Sequence, residues 1–253
     1  MNKVPFLLLL LLALPCPARA DLSAREIIDK SILLDAGHSV LAEARMIQTK
    51  PNGKLRSRTM RLRRKTDGEA ELTRLDFTAP ADIKGLSLLI VQRPGGEADQ
   101  YLYTPALRRV RRIRGSLKGQ EFADTDFSYE DMERKHADDS DYSLDGEEAL
   151  DGRPCWKITA TTKKRVRSQY GRTVSWIDKE TFLFRRIDLY DRGGTKIITI
   201  RSLGSELILG IWTQTKLEMD NLQKGTKTAY ENLSIRYDGP LDSSLFTVSA
   251  LGQ

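Results

Sequence analysis

The chain has 253 residues, with 41 lysines and arginines against 35 acids and a formal net charge of +6. That length fits one large domain able to bury a core, because ~70–75% of unfolded surface is removed from water at such sizes. Two cysteines and two histidines leave too little material for a disulfide framework or a histidine-rich metal centre.

The first elements read as targeting, not structure. Lys3 supplies a positive n-region, Phe6 to Leu14 is an apolar run, and Ala18-Arg19-Ala20 forms an A-x-A cleavage site before Asp21. The run is shorter than the ~20 residues a membrane span needs. Cys16 lies between Pro15 and Pro17, which replace the small residues of a lipoprotein signal. The expectation is a cleaved signal peptide over 1–20, a single domain over 21–253, and a periplasmic, exported protein. Loss of Lys3 and Arg19 lowers the formal charge to +4, and Cys155 becomes the only cysteine. Export sets nucleic acid aside as a partner and leaves anionic headgroups or a membrane protein.

From Ser23 the pattern is helical. Ser23 and Glu26 form a capping box, Ala24, Ile27, Ile28, Ser31 and Ile32 recur at helical spacing, and Gly37 offers a left-handed stop. Strands follow from Val40. Pro51-Asn52-Gly53 and Asp67-Gly68 are hairpin turns, and 70–78 alternates with Thr73, Leu75 and Phe77 on one face. Residues 85–92 are apolar on both faces, as a strand covered on both sides would be. Pro94-Gly95-Gly96 turns the chain into Tyr101-Leu102-Tyr103. After Pro105 comes a basic arm, where Arg108, Arg109, Arg111, Arg112 and Arg114 are interleaved with Leu107, Val110 and Ile113. The polar stretch to Leu150 reads as loop with a short helix. Further strands are expected at 153–162, 172–178, 182–190, 196–202, 207–219 and 227–237. The eleven strands and their short turns predict a large antiparallel meander.

Charge is blocked along the chain. Residues 50–65 hold eight bases and no acid, and residues 121–151 hold thirteen acids against Arg134 and Lys135. Opposite blocks attract, so the acidic flap is expected to fold back over the basic strands of 50–65. Its Asp124–Asp131 segment, with Phe127 and Tyr129 anchoring it to the sheet, is also expected to neutralise the basic arm, the alternative being competition with anionic headgroups for the same arginines. Catalytic signatures are missing. His38 and His136 have no ligand or nucleophile at useful spacing, no phosphate loop or nucleophile elbow occurs, and Cys155 fits a structural strand cysteine. No catalytic residue, metal or cofactor is expected.

The segments YLYTPALRRVRRI and EFADTDFSYEDM resemble the exported outer membrane lipoprotein-sorting protein family, relatives of the LolA/LolB lipoprotein carriers. TAPADIKGLSLL with Lys84 and Gly85, WIDKETFLFRRIDLYDRGG from Trp176, and MDNLQKGTKTAYENLSI extend the likeness over most of the chain. The resemblance implies a mainly β (α+β) fold, a large antiparallel sheet curved into an incomplete β-barrel covered by a few helices around an acyl-chain cavity. It also implies a non-enzymatic carrier of a lipoprotein or another lipid, served by an inner-membrane transporter and meeting the membrane surface. The alternative is an accessory module of a transporter or envelope complex. Cavity-lining candidates are Leu75, Phe77, Leu88, Ile90, Tyr101, Tyr103, Trp156 and Trp176. Candidates for headgroup or partner binding are Arg108, Arg109, Arg111 and Arg112.

Overall fold

The computed structural model describes residues 22–34 and 36–253, so the expected signal peptide and cleavage site lie outside the described residues. One helix, α1 (Ala24–Ile32), precedes thirteen strands: β1 (Ser39–Thr49), β2 (Leu55–Asp67), β3 (Ala70–Ala79), β4 (Ser87–Gln92), β5 (Asp99–Thr104), β6 (Arg109–Ile113), β7 (Ser140–Leu150), β8 (Arg153–Thr162), β9 (Tyr170–Asp178), β10 (Phe184–Asp191), β11 (Lys196–Ile208), β12 (Ile211–Asn221) and β13 (Thr226–Tyr237). They form one antiparallel sheet in the order β6-β5-β4-β3-β2-β1-β13-β12-β11-β10-β9-β8-β7. The chain lays down β1 to β6 outward, crosses through residues 114–139 to the far edge, and returns as a second meander. β13 then closes against β1, with Thr49 opposite Lys227 and Val40 opposite Tyr237. The sheet is curled but unclosed, an incomplete barrel as expected.

Local sequence explains most strand ends. Gly53 (φ +76°) and Gly68 (φ +60°) sit at the turns that their Asn-Gly and Asp-Gly pairs predict. The expected single strand at 207–219 is corrected: Leu209 (φ +51°) and Gly210 (φ +84°) are both left-handed and split it into the β11–β12 hairpin. β6 and β7 are the two unexpected strands, and they are the two edges of the sheet. Edge strands carry charge to discourage pairing with other chains, which erases the alternation that marks an interior strand. The basic arm is therefore partly sheet, and the polar stretch is loop with a short 3₁₀ turn at Ala137–Asp139, as expected, only as far as β7.

The expected few helices reduce, among the described residues, to one α-helix and short 3₁₀ turns. The Ser23–Glu26 capping box is present, and Ala24, Ile27 and Ile28 are buried, packing with Ile158 and Ile177. The helix ends at Ile32 with Leu33 as its cap, before Gly37. Gly37 (φ +68°) instead serves the entry into β1.

What covers the inner face is the 114–139 crossover. Phe122, Phe127 and Tyr129 pack on Met46, Met60, Leu75, Phe77, Leu88 and Ile90. The Phe122 ring centroid lies 5.5 Å from those of both Phe77 and Tyr129. The crossover satisfies its own backbone, Phe122 N–H donating to the Phe127 carbonyl at 2.7 Å. Thr226 and Thr228 hydroxyls of β13 donate to its buried Asp126 carboxylate. On the outer face, Leu89, Tyr101, Tyr103 and Val110 are covered by the C-terminal Leu245, Phe246 and Leu251. β4 is thus apolar on both faces because both are covered.

Candidate functional site

The inner row of β1 reads Val40, Ala42, Ala44, Met46, and that of β2 reads Arg56, Arg58, Met60, Leu62, Arg64. Where the crossover's aromatic rings press on the sheet, the interior is filled. Toward the ends of β1 and β2 nearest α1, the small Ala42 leaves space. A cavity of about 480 Å³ lies there, lined by Val40, Ala42, Leu62 and Thr73 on one side and Trp212, Gln214, Tyr230 and Asn232 on the other. Met132 and Arg134 of the crossover, with Ile32 and Leu34, complete the wall.

A polar strip crosses this wall. The Tyr230 hydroxyl donates to Asn232 Oδ1 at 2.6 Å, and Asn232 Nδ2 donates to the Gln214 carbonyl at 3.1 Å. Gln214 Nε2 donates to the Phe184 carbonyl at 2.8 Å, while its buried Oε1 has no partner among the described residues. Burial pushes the Tyr230 phenol up to about 12, so it stays a neutral donor. Two arginines tie the segment after α1 to the rim. Arg64 donates to the Ala36 carbonyl. Arg134 donates to the Ile32 carbonyl at 2.8 Å and pairs with Glu71 at 3.4 Å. Beside the cavity, the β11–β12 hairpin exposes Leu209 by 82% and Leu207 by 57%, with Leu207 opposite the cavity-lining Trp212.

None of the eight residues expected to line a cavity lines this one. Leu75, Phe77, Leu88 and Ile90 are brought together on the inner face, but at no more than 3% exposure beneath the crossover. Tyr101 and Tyr103 point to the outer face under the C-terminal segment, because strand alternation sends Leu102 inward instead. Trp156 faces α1, its ring 5.3 Å from that of Phe182. Trp176 lies on the opposite face with Cys155 and Val174; its Nε1 donates to Glu148 at 2.9 Å, and Lys157 and Arg186 sit over its ring. Large apolar side chains mark a filled core, whereas a cavity forms where side chains are small. Ala42, on the inner row of β1, was the available signal.

The acids of the flap do not pair with the arginines of the basic arm, which corrects the expected neutralisation; Asp124 turns to the basic strand β2, as the attraction of the opposite charge blocks predicts. Asp124 meets Arg56 at 2.8 Å and Arg58 at 3.4 Å. Glu130 accepts from Ser168 and from the Gln169 backbone, and Asp131 accepts from Ser128 and Tyr170. Burial pushes the Asp131 carboxyl up, against Lys135 and these hydrogen bonds. Arg108, Arg109, Arg111 and Arg112 remain exposed. Of the four, Arg112 pairs with Asp99 and lies over the Tyr101 ring at 5.8 Å; no ion pair holds the other three among the described residues. Cys155 is buried, and that burial pushes its thiol up, as befits a structural residue. Among the described residues no group of three or more His, Cys, Asp or Glu could hold a metal ion. No described helix is long and apolar enough to cross a membrane.

An unclosed, curled antiparallel sheet with a covered inner face and a side cavity is a LolA-like fold, as the sequence resemblance implied. The chain belongs to the DUF1329 family: it is 32% identical to a DUF1329 family protein from Desulfovibrio piger, with a TM-score of 0.86 over 90% of this chain and 97% of that one. A family profile described as "Uncharacterized protein" matches residues 69–253. The chain is also similar to an outer membrane lipoprotein-sorting protein domain from Vibrio parahaemolyticus, at 25% identity and a TM-score of 0.85 over 91% and 98% of the two chains. A LolA superfamily protein from Nitrosomonas europaea shares the fold, with 18% identity and a TM-score of 0.71 over 91% and 100%. No curated protein matches the sequence.

Proposed function

We propose that the protein is a periplasmic carrier that holds an acylated ligand, a lipoprotein or another lipid, without covalent chemistry. The observation that carries this reading is the cavity of about 480 Å³ beside α1, within the 300–1,000 Å³ typical of small-molecule sites. Support comes from the likeness, over almost the whole chain, to a domain named for lipoprotein sorting. At ~30 Å³ per water-sized group, the space suits one chain of roughly sixteen carbons. Each buried methylene contributes ~0.8 kcal/mol, and a bilayer offers the same, so a carrier of one chain can exchange cargo with a membrane. The exposed leucines of the β11–β12 hairpin give the cavity an apolar approach from a lipid surface. The exposed arginines at 108 and 109 suit anionic headgroups or an inner-membrane transporter.

The second reading, an accessory module of a transporter or envelope complex, draws on the Arg64 and Arg134 bonds that tie the cavity rim. Mass spectrometry of lipids extracted from protein purified from its native periplasm separates the two. The carrier reading expects about one acyl chain per protein, lost in Ala42→Phe, which fills the cavity while the fold melts as before. Lipid-free wild-type protein would favour the module.

A further inference from the structure

A second cavity, of about 310 Å³, lies on the same inner face and shares no lining residue with the first. The inner row of β2 accounts for both: Arg58 lines one and Arg64 the other, roughly 20 Å apart at ~3.3 Å per residue. Ile83, Leu86 and Leu102 give the second cavity an apolar wall, and Tyr129, Ala123 and Asp124 of the crossover cover it.

Arg58 is the unusual member. Its side chain is only 7% exposed, and its one ion pair is a 3.4 Å contact from Nη2 to Asp124, itself 64% exposed. Asp124 is held more closely by Arg56, at 2.8 Å. The buried Arg58 Nε has no partner among the described residues. Burial pulls Arg58 below its ordinary value, and Asp124 and Asp82 do not offset this. A guanidinium stays charged in proteins, so a buried one whose ion pair is a single 3.4 Å contact is a costly arrangement unless a further anion completes its fork. Arg111 adds a second donor nearby: it sits opposite Leu102 on β5 and acts on the Tyr129 hydroxyl. The lining itself carries Arg58 against Asp82, Glu121 and Asp124. From outside the lining Arg56 pairs with Asp124 and Lys224 with Glu121, which leaves Arg58 and the neighbouring Arg111 against Asp82.

We infer that this second cavity is an anion site that takes one singly charged oxyanion, a carboxylate or a phosphodiester, with the Arg58 fork as its fixed donor. Asp124 is the intramolecular competitor for that fork. The site is independent of the acyl-chain reading: the larger cavity can prove lipid-free while this one binds, and the reverse.

The test is calorimetric titration of the full chain with octanoate, with dimethyl phosphate, and with vesicles containing phosphatidylglycerol. Binding of a soluble probe assigns a free anion, and binding of vesicles alone assigns a lipid headgroup. In either case Asp124→Asn should tighten binding by up to about fivefold, the limit for an exposed ion pair, and Arg58→Gln should abolish it. If Arg58→Gln does not fold, the exposed Arg111→Gln should still weaken binding severalfold. Absence of binding by both wild type and Asp124→Asn would overturn the site. So would undiminished binding by Arg58→Gln, or by Arg111→Gln where Arg58→Gln does not fold.

Discussion

Truncating Phe122 to alanine decides whether the 114–139 crossover is part of the cooperative core or a removable cover. Phe122 is fully buried, and its ring lies 5.5 Å from those of Phe77 and Tyr129. Removing a buried phenylalanine costs about 3–5 kcal/mol, a range that includes the lost transfer term and the cavity left behind. Each aromatic pair contributes ~0.5–1.5 kcal/mol beyond area burial, which puts this site toward the upper half of the range. For a chain of this size, ~4 kcal/mol corresponds to a fall in melting temperature of roughly 8–16 °C. Urea denaturation of wild type and variant measures the change directly. A Phe77→Leu/Phe122→Leu double-mutant cycle should give a coupling of about 1 kcal/mol. A loss below ~1 kcal/mol would refute the reasoning, because the crossover would then be undocked in solution and the inner face open.

Two other perturbations probe distant parts of the fold. Burial opposes ionisation of Asp178 and Asp188, yet backbone donors from Thr181 and Glu180 hold Asp178, and Arg186 and Thr199 hold Asp188, below the ordinary 3.8. Their unfolded carboxyls therefore take up protons first as pH falls, so the stability they contribute is present above ~3.8 and lost as pH drops through the folded values. Asp131 has the opposite sign, since burial raises it: its contribution is present at acid pH and lost as pH rises through its folded value. Urea midpoints between pH 6 and pH 3 should fall on acidification in wild type and fall less in Asp188→Asn; a midpoint that rises steadily toward pH 3 would contradict the assignment. Gly252→Ala should lower stability by more than ~1 kcal/mol, because φ is +88° and a Cβ there would run into the Tyr103 ring. An unchanged thermal melt would mean that the C-terminal segment does not rest on β5.

Features that neighbouring residues settle were legible along the chain. Asn52-Gly53 and Asp67-Gly68 set their turns through glycine's access to positive φ, Ser23 and Glu26 capped α1 across three residues, and alternation in 70–78 aligned Leu75 with Phe77. The quoted motifs also placed the chain in its fold class. Tertiary structure alone decided which strands became edges, and so turned the arginines of β6 and the acids of β7 into strand residues. It alone decided which acid meets which base. Asp124 is near Arg108 in sequence but reaches Arg56 and Arg58, and Asp126 is held by Thr226 and Thr228 about a hundred residues away. The opposite charge blocks foretold that the flap lies over the basic strand β2, but Coulomb attraction carries no memory of chain order, so they did not name the individual partners. The cavities followed the same logic. A void depends on what the surrounding wall fails to fill, and the wall beside Ala42 includes β13 and β12, which the chain reaches only after crossing the sheet and returning.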